Sequence, residues 1–306
     1  MYLEHFKINE YPFSLTPNTE FFCELTPHIE ALNVLLVSLK SGEGFIKITG
    51  EVGTGKTLLC RLLLLKIRED YTTAYIPNPD LNPDSLRLTL AQELGISDPG
   101  SVNSNELLQL INEKLLSLYE QQKPVILIID EAQALSDAAL EAIRLLTNLE
   151  TEKSKLVQVV LFGQPELNDK LNKPSLRQLK QRITFSYHLS PMKEQELKAY
   201  LFHRLAKAGY TYGNIFTPKA CKLLHKATRG LPRLVNVICH KSMMAAYGQG
   251  KQLISPKAVK QAIKDTDSLK NNLGKKPWWF WFIDSVIIMG LGVMFYLLIR
   301  QGAAWL

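Results

Sequence analysis

Between an apolar run at residues 45–49 (FIKIT) and a leucine-rich run at residues 58–67 (LLCRLLLLKI), the chain carries GEVGTGKT, residues 50–57. The spacing is G-x-x-x-x-G-K-T, and its flanks predict a strand before it and a helix after it. No other feature constrains the fold as tightly. Glycines let successive backbone N–H groups turn inward around an anion. The following helix adds the partial positive charge of its N-terminus. Lys56 is placed to reach the β- and γ-phosphates of a nucleotide, and Thr57 to offer an oxygen to Mg²⁺. Gly50, Glu51, Val52, Gly53, Thr54, Gly55, Lys56, Thr57 and Leu58 are the candidate phosphate cradle. ATP and Mg²⁺ are the expected cofactors.

A second signal lies about seventy residues on. VILIID (125–130) is a wholly apolar run ending in Asp130, the pattern of a strand buried on both faces. Ligands of open parallel sheets sit at such C-terminal strand ends. Asp130 is expected to hold Mg²⁺ through water, and Glu131 to polarise the attacking water. TTAYIP (72–77), VQVVLFG (157–163) and ITFSYHL (183–189) read as further strands. Residues 83–94, 104–120 and a stretch capped by Ser136 and running to about Glu150 read as helices. Strands alternating with helices predict an α/β fold with a parallel sheet.

After Pro191 the pattern changes. Residues 193–208, 217–228, 231–246 and 256–268 have helical period with no strand among them, which predicts a separate all-helical domain. Charge changes with it: residues 1–183 carry 18 basic and 24 acidic side chains, residues 184–276 carry 17 and 4. A basic block of this kind suits lipid headgroups, nucleic acid or an acidic protein, and equally a solvated helical surface. Hydrophobic residues at 46% and charged residues at 21% exclude a disordered chain. Cys23, Cys60, Cys221 and Cys239 have neither C-x-x-C spacing nor a histidine at metal-ligand spacing, so they read as free thiols. MYLEHFKINE lacks the basic and apolar regions of a signal peptide. No internal repeat stands out.

YPFSLTPNTEFF, GEVGTGKT, IIDEAQ, FGQPEL, LRQLKQRI and GLPRLVN together carry a resemblance, from the N-terminus to about residue 270. The sequence resembles AAA+ ATPases of the ExeA/GspA secretion type, and within that group the branch serving MSHA-type type IV pili. The resemblance implies a three-layer αβα core at residues 1–190 and a helical lid at 191–268. It implies that Gln164 sits on a strand between the two nucleotide-binding strands and touches the γ-phosphate or the water, although it also suits a turn before Pro165. Arg182 matches the position of an arginine that reaches into a neighbouring subunit's site, with Arg177 the next candidate. Arg233 matches the lid arginine aimed at the phosphates, helped by Pro232 in the first turn of a helix. A homo-oligomeric ring is implied. Pro12 and Phe13 line the adenine pocket or pack as buried residues; both readings stay open.

A polar, basic linker at 269–277 leads to residues 278–299. The stretch 279–299 (WFWFIDSVIIMGLGVMFYLLI) has one charge, Asp284, and as a helix would span about 31 Å. Trp278, Trp279 and Trp281 suit one membrane interface. Lys270, Lys275 and Lys276 before it, against Arg300 after it, orient the ATPase inside the cell. The expected reading is a single-pass protein of the bacterial inner membrane with membrane lipids and pilus or secretion components as partners. ExeA-type proteins carry a further domain after this helix. Here RQGAAWL (300–306) follows, which favours the pilus-type relative. A DNA-binding ATPase of the transposition-helper kind suits the basic lid, but the apolar segment argues against it. A nucleotide-switched scaffold with little turnover is the third reading.

Overall fold

The computed structural model describes residues 2–16, 18–150 and 155–267. The expected linker, membrane helix and tail at 269–306, Asp284 included, lie outside them. Among the described residues no helix is long and apolar enough to cross a membrane.

Five strands form one parallel sheet: β1 (Phe45–Gly50), β2 (Thr72–Ile76), β3 (Val125–Ile129), β4 (Val157–Gly163) and β5 (Ile183–Leu189), in the order β2-β3-β4-β1-β5. The apolar runs of β3 and β4 become central strands because both their faces are covered. Val125, Leu127 and Ile129 point to one face, Ile126 and Ile128 to the other. On the first face pack α4 (Pro83–Glu93), α5 (Ser104–Glu120), α6 (Asp137–Leu146), α7 (Glu166–Leu171) and α8 (Arg177–Arg182). On the second pack α2 (Thr26–Lys40) and α3 (Lys56–Ile67). Gln158, the one polar residue inside β4, is buried and donates from Nε2 to the carbonyls of Leu39 and Glu43 at the end of α2. The sequence pattern predicts no helix at residues 26–40, where the structure has α2.

The strand order positions the chemistry. β4 pairs with β1 on one side and β3 on the other, with Thr49 beside Gly163 and Ile129 beside Leu161. The C-terminal tips of β1, β4 and β3 therefore lie in a row, followed respectively by the glycine-rich loop, Gln164 and Asp130.

The helical domain consists of α9 (Glu194–Lys207), α10 (Pro218–Thr228), α11 (Pro232–Gly248) and α12 (Pro256–Lys264). Its core contains more than these helices. Tyr2, Phe6, Ile8, Phe13 and Phe21, from the N-terminal segment that includes the short α1 (Leu3–Phe6), are buried in the same cluster as Leu201, Ile238 and Met243. Tyr2 Oη lies 2.8 Å from His240 Nδ1, and Phe13 meets Phe216 edge to face. Within residues 2–25, Tyr2, Phe6, Ile8, Phe13, Phe21 and Leu25 are buried with the helical domain, across the expected division at residue 190. The physical reason is room. Both faces of the sheet are already filled by helices, and the large rings find apolar cover only between the helices of the lid.

Candidate nucleotide site

The loop after β1 has the shape its glycines predict. Gly53 and Gly55 have φ of +83° and +101°, in the left-handed region that side chains resist. Gly55 is the N-cap of α3 and offers no side-chain cap, so the first-turn N–H groups of α3 are left for a ligand. The helices α4, α5, α6 and α10 instead carry the capping side chains Asn82, Asn103, Ser136 and Thr217. Lys56 is buried, and its Nζ donates to the carbonyls of Gly50 at 2.8 Å and Glu51 at 3.1 Å. Burial lowers its pKa, opposed by the charges of Glu131 and Asp130.

Thr57 Oγ1 donates to Asp130 Oδ2 at 2.7 Å, so the two expected metal-binding oxygens meet. Burial raises the pKa of Asp130, while the Thr57 hydroxyl and the Glu131 N–H hold it down. Glu131 has φ +53°, an uncommon conformation for a residue with a side chain, and is half-buried. Its Oε2 accepts from Gln164 Nε2 at 2.9 Å and from Gln133 Nε2 at 2.5 Å. Burial pushes the Glu131 pKa up, but these two bonds and the Lys56 charge outweigh it and leave the pKa below the ordinary value. Glu131 is thus an ionised, oriented carboxylate. Gln133 also accepts from the backbone N–H of Gln164 at 2.9 Å, tying the tip of β4 to the loop after β3.

Residues from four parts of the chain enclose a cavity of about 340 Å³: the glycine-rich loop with Lys56, Thr57 and Leu58; Ser14, Leu15, Thr16 and Asn18; Glu131 after β3; and Tyr200, Arg204, Arg233 and Asn236 of the helical domain. Arg233 reaches this site from the start of α11. Its backbone N–H donates to Gly53 O at 3.1 Å, and a Cβ on Gly53 would lie 2.6 Å from its Cβ. Phe13, by contrast, is buried against Phe216, and the cavity wall is formed by the residues just after it. Arg182 does not line the cavity. Its guanidinium donates to Arg144 O at 3.3 Å and Thr147 Oγ1 at 3.0 Å at the end of α6, while Arg177 is exposed.

Four supporting residues escaped the sequence reading. Gln133 is one. His28 is buried under the loop, with Nε2 donating to Thr54 O at 3.0 Å and Nδ1 without a partner among the described residues. Burial lowers its pKa, so the neutral ring is favoured. Arg204 is buried against the rings of Phe21 and Tyr200 and donates to the carbonyls of Pro12 and Ser14. Asn236 accepts from Tyr200 Oη at 2.8 Å and donates to Ser14 O at 3.2 Å. GLPRLVN contains Asn236 and IIDEAQ contains Gln133, so both lie inside motifs that carry the resemblance; His28 and Arg204 have no local signal.

The donor set fits Mg²⁺ and a nucleoside triphosphate. Hydroxyl and carboxylate oxygens suit a hard cation, and a Mg²⁺ that shares phosphate oxygens needs only one or two protein carboxylates. When bound, the ion supplies charge neutralisation for the phosphates.

A parallel sheet with this strand order, a glycine-rich loop, an Asp-Glu pair and a helical lid over the cavity defines a P-loop ATPase of the AAA+ class. Residues 39–171 match the family model described as AAA domain. The chain is 43% identical over 254 residues to General secretion pathway protein A of Aeromonas hydrophila, covering 83% of this chain and 46% of that protein. It thus spans about half the length of the curated relative it matches. Among solved structures it is similar to Cdc6p of Pyrobaculum aerophilum, with TM-score 0.65 and 22% identity over 83% of this chain and 70% of that one. It is also similar to the ORC1 protein of Aeropyrum pernix in complex with DNA, with TM-score 0.61 and 20% identity over 85% and 70%. These two likenesses show the fold. The chain is an ATP-hydrolysing enzyme with an AAA domain, and over its matched residues it is similar to General secretion pathway protein A.

Proposed function

We propose that this protein is anchored in the bacterial inner membrane by residues 278–299. Its ATPase faces the cytoplasm, and ATP turnover drives or regulates assembly of secretion machinery or of an MSHA-like type IV pilus. The observation that carries the reading is the continuity between an assembled catalytic cluster and a lid that touches it. Arg233 contacts the glycine-rich loop, and Glu131 is held ionised by Gln164 and Gln133. Support for a role in secretion is the 43% identity to General secretion pathway protein A. Support for the anchor is the apolar sequence at 279–299 with its lysine-rich approach.

In the mechanism, the first-turn N–H groups of α3 and Lys56 would bind the phosphates, and Thr57 and Asp130 would hold Mg²⁺. The Glu131 carboxylate orients the attacking water and accepts its proton. Gln164 fixes that carboxylate and reads the γ-phosphate beside it. Arg233 transmits the state of the phosphates to α11. Subunits join in a ring, where Arg182 or the exposed Arg177 completes a neighbour's site.

The test is capture of membrane partners by full-length Glu131→Gln, which holds ATP without turning it over. Enrichment of inner-membrane pilus or secretion components over Lys56→Ala supports the reading. Equal capture by both variants removes the nucleotide from partner engagement.

A further inference from the structure

The helical domain contains a repeat that only the fold makes visible. Residues 217–226 read TPKACKLLHK, and residues 255–264 read SPKAVKQAIK. The structure aligns them. Phe216 and Ile254 form a parallel bridge; Thr217 N donates to Ile254 O and Ile254 N to Ile215 O. From this bridge α10 and α12 set off side by side, each with a hydroxyl residue at its N-cap position just before a proline; the Thr217 hydroxyl accepts from the Ala220 N–H, whereas Ser255 makes no such bond. Lys219, Lys222 and Lys226 thereby correspond to Lys257, Lys260 and Lys264. At helical spacing each trio falls within about 60° of one face. Ala220, Cys221 and Leu224, and their counterparts Ala258, Val259 and Ala262, are buried, while all six lysines are exposed. None of the six makes a hydrogen bond or ion pair among the described residues. Neither segment contains Asp or Glu; Asp265, just past α12, is paired with Lys241.

We propose that the paired lysine rows of α10 and α12 form a surface that lies against anionic lipid headgroups, holding the lid at the membrane. Two features select lipid over nucleic acid. Neither segment contains Arg, Phe, Tyr or Trp, the forks and stacking rings that nucleic-acid sites use, whereas ammonium groups act as point charges toward an anionic leaflet. The second feature is tether length. Trp279 is fifteen residues beyond Lys264, so the chain reaches at most about 54 Å from the end of α12 to the apolar segment. The proposal rests on reading 279–299 as a membrane segment. It adds an electrostatic contact to that anchor, one that fixes which face of the lid turns toward the anionic leaflet.

The experiment uses the full chain with vesicles of phosphatidylcholine alone or mixed with phosphatidylglycerol. Flotation is measured first. Lysine acylation by a water-soluble amine reagent is then read by mass spectrometry. On mixed vesicles Lys222, Lys226, Lys260 and Lys264 should be protected about fivefold relative to phosphatidylcholine alone, with protection lost in high salt. Exposed Lys40, on the ATPase core, should react equally in both. The variant K222E/K226E/K260E/K264E, with unchanged basal ATPase, should lose any preference for mixed vesicles. Equal flotation and equal labelling on both vesicle types would sink the lysine surface and leave the anchor standing. Flotation only with mixed vesicles, abolished by salt, would support the lysine surface and remove the anchor. Flotation with neither overturns both. Protection by duplex DNA but not by anionic vesicles assigns the surface to nucleic acid and overturns the proposal.

Discussion

At the residue scale, the site is governed by how Glu131 is held. Two amide donors keep its carboxylate ionised despite partial burial. Glu131→Gln should bind ATP normally and lose phosphate release by about 100-fold or more, because the proton acceptor is gone; near-normal release would remove Glu131 from the chemistry. Lys56→Ala should instead weaken ATP binding, read by titration with a fluorescent ATP analogue. Gln164→Ala removes a bond that lowers the Glu131 pKa, so that pKa should rise. A base must be deprotonated to act. The acid limb of the pH profile of kcat/KM should therefore move to higher pH, and an unmoved limb would detach Gln164 from Glu131. The residues legible in the sequence, Lys56, Thr57, Asp130 and Glu131, are those whose roles follow from neighbours along the chain. His28 and Arg204 were illegible because their partners, Thr54 and Ser14, lie 26 and 190 positions away.

At the element scale, the strands and most helices were legible because caps and period agree. Asn82, Asn103, Ser136 and Thr217 each begin a helix where the sequence reading placed one. The helix α2 was not legible: Leu25 gives no side-chain cap, and apolar residues such as Val37 lie on its exposed face and blur the stripe. The contact between α11 and the glycine-rich loop predicts a further result. Gly53→Ala would force a methyl group toward Arg233 at a backbone angle that side chains resist. ATP binding should fall while the far-UV circular dichroism spectrum stays unchanged. Retained affinity would show that the loop and lid separate without consequence for the nucleotide.

At the scale of the whole molecule, the helical domain is discontinuous in sequence, since residues 2–25 and 192–263 share one core. Deleting residues 2–25 should expose apolar surface within the lid. Removing Phe6, Phe13 and Phe21 forfeits about 1.5–3 kcal/mol each. The deleted form should bind a hydrophobic dye and melt at lower temperature than the full chain; an unchanged melting curve would show that the segment only decorates the lid. Ring assembly makes a separate prediction. Once subunit exchange is demonstrated, mixing Arg182→Ala with Lys56→Ala subunits should restore some ATPase activity, and failure shifts the test to Arg177. The pairing of Tyr2 with His240 spans 238 positions. During synthesis these aromatic residues therefore leave the ribosome before their permanent cover exists, while the ATPase sheet between the two can close first. Residues made well before the helical domain are thus among the last to find their places, and until that domain emerges Phe6, Phe13 and Phe21 remain surfaces for a chaperone to shield.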